Sequence, residues 1–199
     1  MSFQVGIVPT GIANTASIKC AFERLGASVE FISEADEILT LPFVVLPGVG
    51  AFASGMEALA ERGFAEALRS RVSGGLPLLS VCLGMQLLCA ESEESPGVPG
   101  LNVVDARVER FNSMEPVPQL GWNEVVPERG STLMKPGYAY FANSFCIKQR
   151  VAGWECAMAV YGEEFVACMR KGKTLACQFH PELSGAWGAM LLKGWVTEG

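Results

Sequence analysis

The sequence lacks several features that mark large classes of protein. It carries no excess of positive charge, because 15 Lys and Arg stand against 21 Asp and Glu, for a formal net charge of −6. A basic surface is usual in proteins that bind nucleic acid or anionic membranes, so we expect neither partner. No apolar run reaches the roughly 18 residues that span a bilayer, and no basic segment of a signal peptide opens the chain. We therefore expect a cytoplasmic protein.

Histidine and paired cysteines are also scarce. The chain has a single histidine, His180, and its seven cysteines include no C-x-x-C pair. This pattern argues against a disulfide framework and against a cysteine-rich zinc site, and we expect no metal and no cofactor. Apolar residues, by contrast, make up 50% of the 199 residues, which is enough for a substantial core. The length predicts one domain over residues 1–199.

Hydrophobic periodicity predicts an α/β fold. Through about residue 90, apolar runs suited to buried strands alternate with segments of helical spacing, which is typical of a mostly parallel central sheet with flanking helices. The predicted strands are 3–8, 29–32, 43–46 and 76–81, and the predicted helices are 15–25, a segment beginning after 50, and 85–90. Beyond residue 95 the pattern becomes β-rich, with strands at 103–111, 138–145, 155–160, 164–169 and 174–179 and a closing helix at 187–195.

A nucleophile candidate lies where the predicted strand 76–81 turns directly into a helix. Cys82 has Ser80 and Gly84 two residues away on either side, and such small neighbours are needed where a sharp turn presses backbone against backbone. This is the cysteine form of a nucleophile elbow, in which the helix N-terminus favours a thiolate and offers N–H groups to an oxyanion. The alternative is that Cys82 is one more buried core cysteine.

The one available imidazole follows another predicted strand. The segment 174–182 ends in His180-Pro181-Glu182, and with Pro181 keeping the chain extended, His180 and Glu182 are expected to point to the same side. A cysteine hydrolase needs an imidazole to take and return a proton, and a carboxylate to orient it. A structural histidine at a strand end is the alternative. Ligands of α/β sheets bind at the carboxyl ends of the strands, where both motifs are expected.

A glycine turn is the third candidate element. Pro47-Gly48-Val49-Gly50 follows a buried strand and precedes a helix, so a ligand can approach its backbone closely. It lacks the third glycine of a dinucleotide fingerprint and the lysine of a P-loop. We interpret it as the second donor of an oxyanion hole, and an ordinary strand-to-helix turn as the alternative.

Together these motifs resemble the class I, or triad, glutamine amidotransferases, and the resemblance extends along nearly the whole chain. Within that family the sequence is most similar to the glutaminase subunits of imidazole glycerol phosphate synthase. The resemblance implies a flavodoxin-like fold with a mixed, mostly parallel sheet. The segments that carry it are P-G-V-G at 47–50, C-L-G-M-Q at 82–86, Q-F-H-P-E at 178–182, S-E-E at 92–94, R-V-E-R-F at 107–111, L-G-W-N at 120–123 and S-G at 184–185.

The resemblance implies hydrolysis of L-glutamine to glutamate and ammonia through a glutamyl thioester. It assigns a Cys-His-Glu triad, the donors of an oxyanion hole and a pocket for the glutamine head group. The triad is Cys82, His180 and Glu182; the oxyanion donors are the backbones of Val49, Gly50 and Leu83; and the substrate-binding residues are Gly50, Gln86, Glu94, Ser144 and Phe145.

The resemblance also implies a partner, a (β/α)8-barrel cyclase that forms a heterodimer with this chain and receives its ammonia for histidine biosynthesis. The chain departs from the family pattern at Ser80, Gln119, Asn143 and Leu183. Three other hypotheses stay open at this point. They are a class I amidotransferase of another pathway, such as purine or pyridoxal phosphate synthesis, a catalytically silent subunit that docks a partner, and a cysteine hydrolase of unrelated substrates.

Overall fold

The computed structural model describes residues 3–10, 15–112 and 114–198. Its elements follow the chain as twelve strands, six helices and one short 3₁₀ turn within those residues. In order they are β1 Phe3–Ile7, α1 Thr15–Arg24, β2 Ala27–Phe31, α2 Ala35–Thr40, β3 Phe43–Leu46, α3 Phe52–Glu61, α4 Phe64–Ser73, β4 Leu78–Val81, α5 Leu83–Leu87, β5 Cys89–Ser92, β6 Val104–Arg110, β7 Gln119–Pro127, β8 Gly137–Asn143, β9 Phe145–Cys146, β10 Glu155–Val160, β11 Glu164–Lys171, β12 Thr174–Cys177, the turn Pro181–Leu183 and α6 Gly185–Glu198.

A nine-stranded sheet organises the molecule, in the order β2-β1-β3-β4-β12-β11-β10-β7-β8. The five strands from β2 to β12 pair in parallel, and those from β12 to β8 pair antiparallel. The last strand in the chain, β12, thus lies between β4 and β11 at the junction of the two halves. A small second sheet, β5-β6-β9, lies beside it. The predicted α/β class with a β-rich second half is confirmed.

Apolar side chains cover both faces of the central strands. Every residue of β3, β4 and β12 is buried, as expected for parallel strands that have helices on both sides. One core cluster contains Leu46 and Leu78 together with residues of α3, α4 and α5. The other contains Leu79 and Leu175 together with residues of α1 and α6. β4 pairs with β12 so that Val81 lies opposite Cys177, and this register positions the site described below.

A buried arginine, Arg71, connects the loops that precede β3 and β4. Arg71 of α4 is fully buried and donates to the backbone carbonyls of Ile38, Leu41, Pro42 and Pro77. Because burial penalises the charge, the pKa of Arg71 falls to about 10. The guanidinium satisfies carbonyls at the end of α2 and before β3 and β4, so it holds both strands at their amino ends.

Some predicted elements differ from the observed ones. Periodicity predicts helix over 85–90, but α5 ends at Leu87, and Cys89–Ser92 forms strand β5, which pairs with β6. The predicted strand 174–179 ends at Cys177. The helices α2 and α4 and strand β7 were not predicted. The reason for the first error is that a short, mostly apolar segment such as 85–90 suits a buried helix and a buried strand equally well.

Candidate active site

Cys82 occupies a strained turn between β4 and α5. Its backbone has φ 54° and ψ −113°, in the positive-φ region that non-glycine residues rarely adopt. The turn is held by the N–H of Cys82, which donates to the Cys177 carbonyl at 2.7 Å. A Cβ on Gly84 would overlap the carbonyl oxygen of Leu46, so only glycine fits there. The predicted elbow is therefore present, with its nucleophile at the carboxyl end of a central parallel strand.

His180 reaches the same place from β12. The Nδ1 atom of His180 lies 2.9 Å from Oε1 of Glu182, and His180 lines the same cavity as Cys82. The predicted contact of His180 with Glu182 is observed, but the expectation of an extended Pro181 is wrong. Pro181–Leu183 forms a 3₁₀ turn, and this turn brings the carboxylate back to the imidazole. Pro181 begins the turn because its fixed φ suits a first helical position.

The surroundings of His180 raise the pKa of its imidazole. Burial by itself lowers the pKa of His180, but hydrogen bonds to Cys82 and Glu182, together with their negative charges, outweigh it and raise that pKa from 6.5 to about 10. The imidazole therefore keeps its proton at neutral pH. Only 1% of the Glu182 side chain is exposed, and its second oxygen has no partner, so its charge is directed at His180.

The predicted oxyanion donors are close together but not free. The N–H of Leu83 donates to the carbonyl of Gly48 at 3.3 Å. In a trans peptide the C=O and the following N–H point in opposite directions, so the N–H of Val49 points away from Leu83. Gly50, with φ 98°, ends the turn in a conformation that favours glycine. The Gly48–Val49 peptide in this orientation thus occupies the space that an oxyanion would need.

A cavity of about 300 Å³ opens onto the sulfur of Cys82. This volume is at the small end of the range for small-molecule sites. The Glu94 carboxylate lies in its wall, where it accepts the N–H of Phe52 at the start of α3 at 2.7 Å. All of the predicted oxyanion and substrate-binding residues line this cavity together with the nucleophile and the imidazole. The lining consists of Val49, Gly50, Cys82, Leu83, Gln86, Glu94, Pro118, Ala142, Asn143, Ser144, Phe145 and His180.

Sequence reasoning assigned no role to Gln178, although the residue lies within the quoted 178–182 motif. It is fully buried, and its Nε2 atom lies 3.9 Å from the Cys82 sulfur. The signal was its position two residues after the register partner of Ser80 and directly after β12, at the level of the elbow. Asn143, which lines the cavity, donates from Nδ2 to the carbonyl of Phe145 at 3.0 Å.

A second cavity among the described residues lacks this chemistry. A larger cavity, of about 600 Å³, lies between α6 and the β10–β12 strands and is lined by Trp187, Trp195 and eleven further residues, none of them Cys or His. Over residues 3–10, 15–112 and 114–198, no cluster of His, Cys, Asp and Glu has the arrangement of a metal site.

Comparison with known proteins agrees with the fold and the motifs. The sequence model of the glutamine amidotransferase class-I family matches residues 7–195. The chain belongs to this family. Among its relatives is the imidazole glycerol phosphate synthase subunit HisH of Symbiobacterium thermophilum, 36% identical over 196 residues, which cover 96% of this chain and 92% of the relative. HisH of Salmonella typhimurium is 38% identical over 197 residues, with 96% and 98% covered. A crystal structure of a glutamine amidotransferase superposes with a TM-score of 0.78 at 26% identity, covering 97% of each chain.

Proposed function

We propose that this chain is the glutaminase subunit of an imidazole glycerol phosphate synthase, which hydrolyses L-glutamine and supplies ammonia for histidine biosynthesis. One observation carries the proposal. Cys82 and His180 line one cavity that fits a small amino acid, and the Nδ1 atom of His180 lies 2.9 Å from Oε1 of Glu182. The relatives that bear the HisH name give the pathway.

The first half of the reaction forms a thioester. The Cys82 thiolate attacks the carboxamide carbon, and the carbonyl oxygen becomes an oxyanion. His180 donates its proton to the departing nitrogen, the C–N bond breaks, and ammonia leaves. In the second half, neutral His180 takes a proton from water as the water attacks the thioester. Glutamate and the Cys82 thiolate are released, and the imidazolium is restored. Glu182 stabilises that imidazolium and fixes the tautomer of the neutral ring.

The oxyanion needs a rearranged glycine turn. With the Gly48 carbonyl on the Leu83 N–H, a negative oxygen at this position would meet a carbonyl dipole instead of a donor. Rotation of the Gly48–Val49 peptide by about half a turn would release Leu83 and turn the Val49 N–H into the cavity. Removing one such donor typically costs about 3 kcal/mol of transition-state stabilisation. In our proposal the resting conformation is therefore a slow glutaminase.

The substrate head group meets acceptors and backbone groups in the wall. The Glu94 carboxylate keeps spare lone pairs for an α-ammonium group, because its hydrogen bond from the N–H of Phe52 uses only the Oε2 atom. Gln86 and the backbone of Gly50, Ser144 and Phe145 hold the remaining polar atoms of glutamine. A substrate with both a cationic amine and a carboxamide fits this set of groups.

The partner, which we propose to be a (β/α)8-barrel cyclase in a heterodimer, docks on an apolar face at the edge of the sheet. We define the docking face as Leu120, Trp122, Tyr138 and Leu183, which are 66%, 58%, 59% and 37% exposed. Exposed aromatic and aliphatic side chains grouped in this way are typical of protein interfaces. The face adjoins the cavity, because Ala142, the cross-strand partner of Leu120, lines it. Ammonia released at Cys82 would thus emerge beside the partner.

Two further properties belong to this proposal. We place the protein in the cytoplasm, where its seven free cysteines would stay reduced. No helix within the described residues is long and apolar enough to cross a membrane. We also propose that residues 1–199 form a single domain, since the one large sheet takes strands from both ends of the chain.

The test is glutamate production by the purified chain, alone and with a matching cyclase and its nucleotide ligand. We expect slow glutamine hydrolysis that the complex accelerates strongly. Cys82→Ala should abolish turnover but still bind the cyclase, whereas Cys20→Ala, at an exposed cysteine of α1, should keep full turnover. Glutamine turnover by Cys82→Ala, or simple amides accepted as readily as glutamine, would contradict the proposal.

A further inference from the structure

Gln178 has a polar side chain that the reaction described above does not use. The residue directly follows β12 and is fully buried. Its Oε1 atom accepts a hydrogen bond from Nε2 of Gln86 at 3.0 Å. Its Nε2 atom faces the sulfur of Cys82 at 3.9 Å, near the outer limit for a donor to sulfur. The amide therefore connects the cavity wall to the nucleophile.

The direction of this amide is fixed by a backbone carbonyl. Oxygen and nitrogen of a glutamine amide look alike in shape, so their placement must follow from their partners. Gln86 contacts the carbonyl oxygen of Phe145 at 3.0 Å, and a carbonyl can only accept. Gln86 must therefore turn its nitrogen inward, and Gln178 must present its oxygen to that nitrogen. The nitrogen of Gln178 is then the atom that faces the sulfur.

We infer that Gln178 is a positioning residue that holds the Cys82 sulfur as a thiolate through a fixed N–H donor, separate from the proton that His180 moves. Sulfur carries negative charge twice in the cycle, before attack and again when the thioester is hydrolysed. At the second point His180 is occupied with the proton of water, whereas the Gln178 donor is still in place. A hydrogen bond to a charged acceptor is stronger than a hydrogen bond to a neutral acceptor.

Four other titratable groups lie near the sulfur. His180 and Glu94 line the same cavity, Glu182 pairs with His180, and the Cys177 thiol lies on β12 opposite Val81. Substitutions at Gln178 leave all four groups unchanged. A shift in the pH dependence of Cys82 alkylation would therefore report the loss of the amide donor itself.

The experiment measures alkylation of Cys82 by iodoacetamide against pH, in the full chain, with each cysteine followed by mass spectrometry of its peptide. In Gln178→Met, which keeps the volume but removes the N–H, the pH of half-maximal alkylation should rise by about one unit, a tenfold change in the ionisation constant of the thiol. Cys20, exposed on α1, serves as the internal reference. Gln119→Met makes the same change at a buried glutamine outside the cavity lining and should leave the profile unchanged.

Two results would overturn the inference: a Gln178→Met profile that coincides with the wild type, or an equal shift in Gln119→Met. If Gln178→Met does not fold, Gln86→Met tests the same chain of contacts, because it removes the donor that orients Gln178. It should shift the profile in the same direction by a smaller amount, and an unchanged profile would also refute the inference. The role in catalysis rests on the proposed function, but alkylation needs no glutamine. A chain without glutaminase activity would therefore still show whether Gln178 acts on the sulfur.

Discussion

Replacing Glu182 by glutamine tests the electrostatics of the site most directly. The substitution keeps the shape of the side chain and removes a charge that lies 2.9 Å from the His180 ring. That carboxylate is one of two groups that raise the pKa of His180 to about 10. A hydrogen bond to a charged group contributes about 1.5–3 kcal/mol, which corresponds to roughly one to two pH units. We therefore expect the pKa of His180 to fall by that amount in Glu182→Gln.

The sign of the effect on folding follows from the same shift. The raised pKa of His180 stabilises the fold fully below its ordinary value of 6.5, and this contribution is lost as the pH rises toward about 10. The stability difference between the wild type and Glu182→Gln should therefore be largest in mildly acidic solution and shrink in alkaline solution. Glutamine turnover should fall by about a hundredfold or more, because the tautomer is no longer fixed.

The assay is proton NMR of the untagged chain, in which the single histidine gives one set of imidazole signals. Urea unfolding at pH 6.5 and pH 10 measures the stability difference. Glu94→Gln is the control, because Glu94 lines the same cavity but its carboxylate bonds the N–H of Phe52. Glu94→Gln should leave the pKa of His180 unchanged. If Glu182→Gln titrates at the wild-type pH, the explanation given for the raised pKa is wrong.

Three further substitutions test the docking face, the elbow and the buried cation. Trp122→Ala should weaken association with the cyclase at least tenfold, as measured by titrating its stimulation of turnover, whereas Phe31→Ala, an exposed aromatic at the opposite edge of the sheet, should not. Gly84→Ala should abolish turnover and lower the melting temperature, because its Cβ would overlap the carbonyl oxygen of Leu46; unchanged turnover would contradict the elbow geometry. Arg71→Met should lower the free energy of unfolding, measured in urea, by about 3–5 kcal/mol, because it leaves buried carbonyls without a donor. A loss below about 1 kcal/mol would refute that role of Arg71.

The sequence predicts most of the parallel half of the fold and the members of the candidate site. Strands such as Phe43–Leu46 are predicted to the residue, because a buried apolar run bounded by Pro42 and Pro47 has few other interpretations. The short helix Ala35–Thr40 was missed, since its six residues carry a single buried side chain, Ile38. Periodicity is visible only in segments longer than two turns.

Tertiary contacts explain what sequence reasoning could not reach in the site. The orientation of the Gly48–Val49 peptide depends on which partner the Leu83 N–H finds, and no residue type determines it. The direction of the Gln178 amide depends likewise on the carbonyl of Phe145, two contacts away. Residue identity indicates which groups can donate or accept, whereas the choice between donors is made by packing.

Cys82 and His180 are far apart in the sequence, and the pairing of β4 with β12 brings them together. Leu78–Val81 of β4 pairs in parallel with Thr174–Cys177 of β12, so that Val81 lies opposite Cys177. The next residue on each strand is then Cys82 and Gln178, which places the amide nitrogen at the sulfur. His180 follows two residues later, where its N–H pairs with the Tyr140 carbonyl and the chain turns back. A register shift of one residue would invert the side chains of β12 relative to β4, so this particular pairing maintains the geometry of the site.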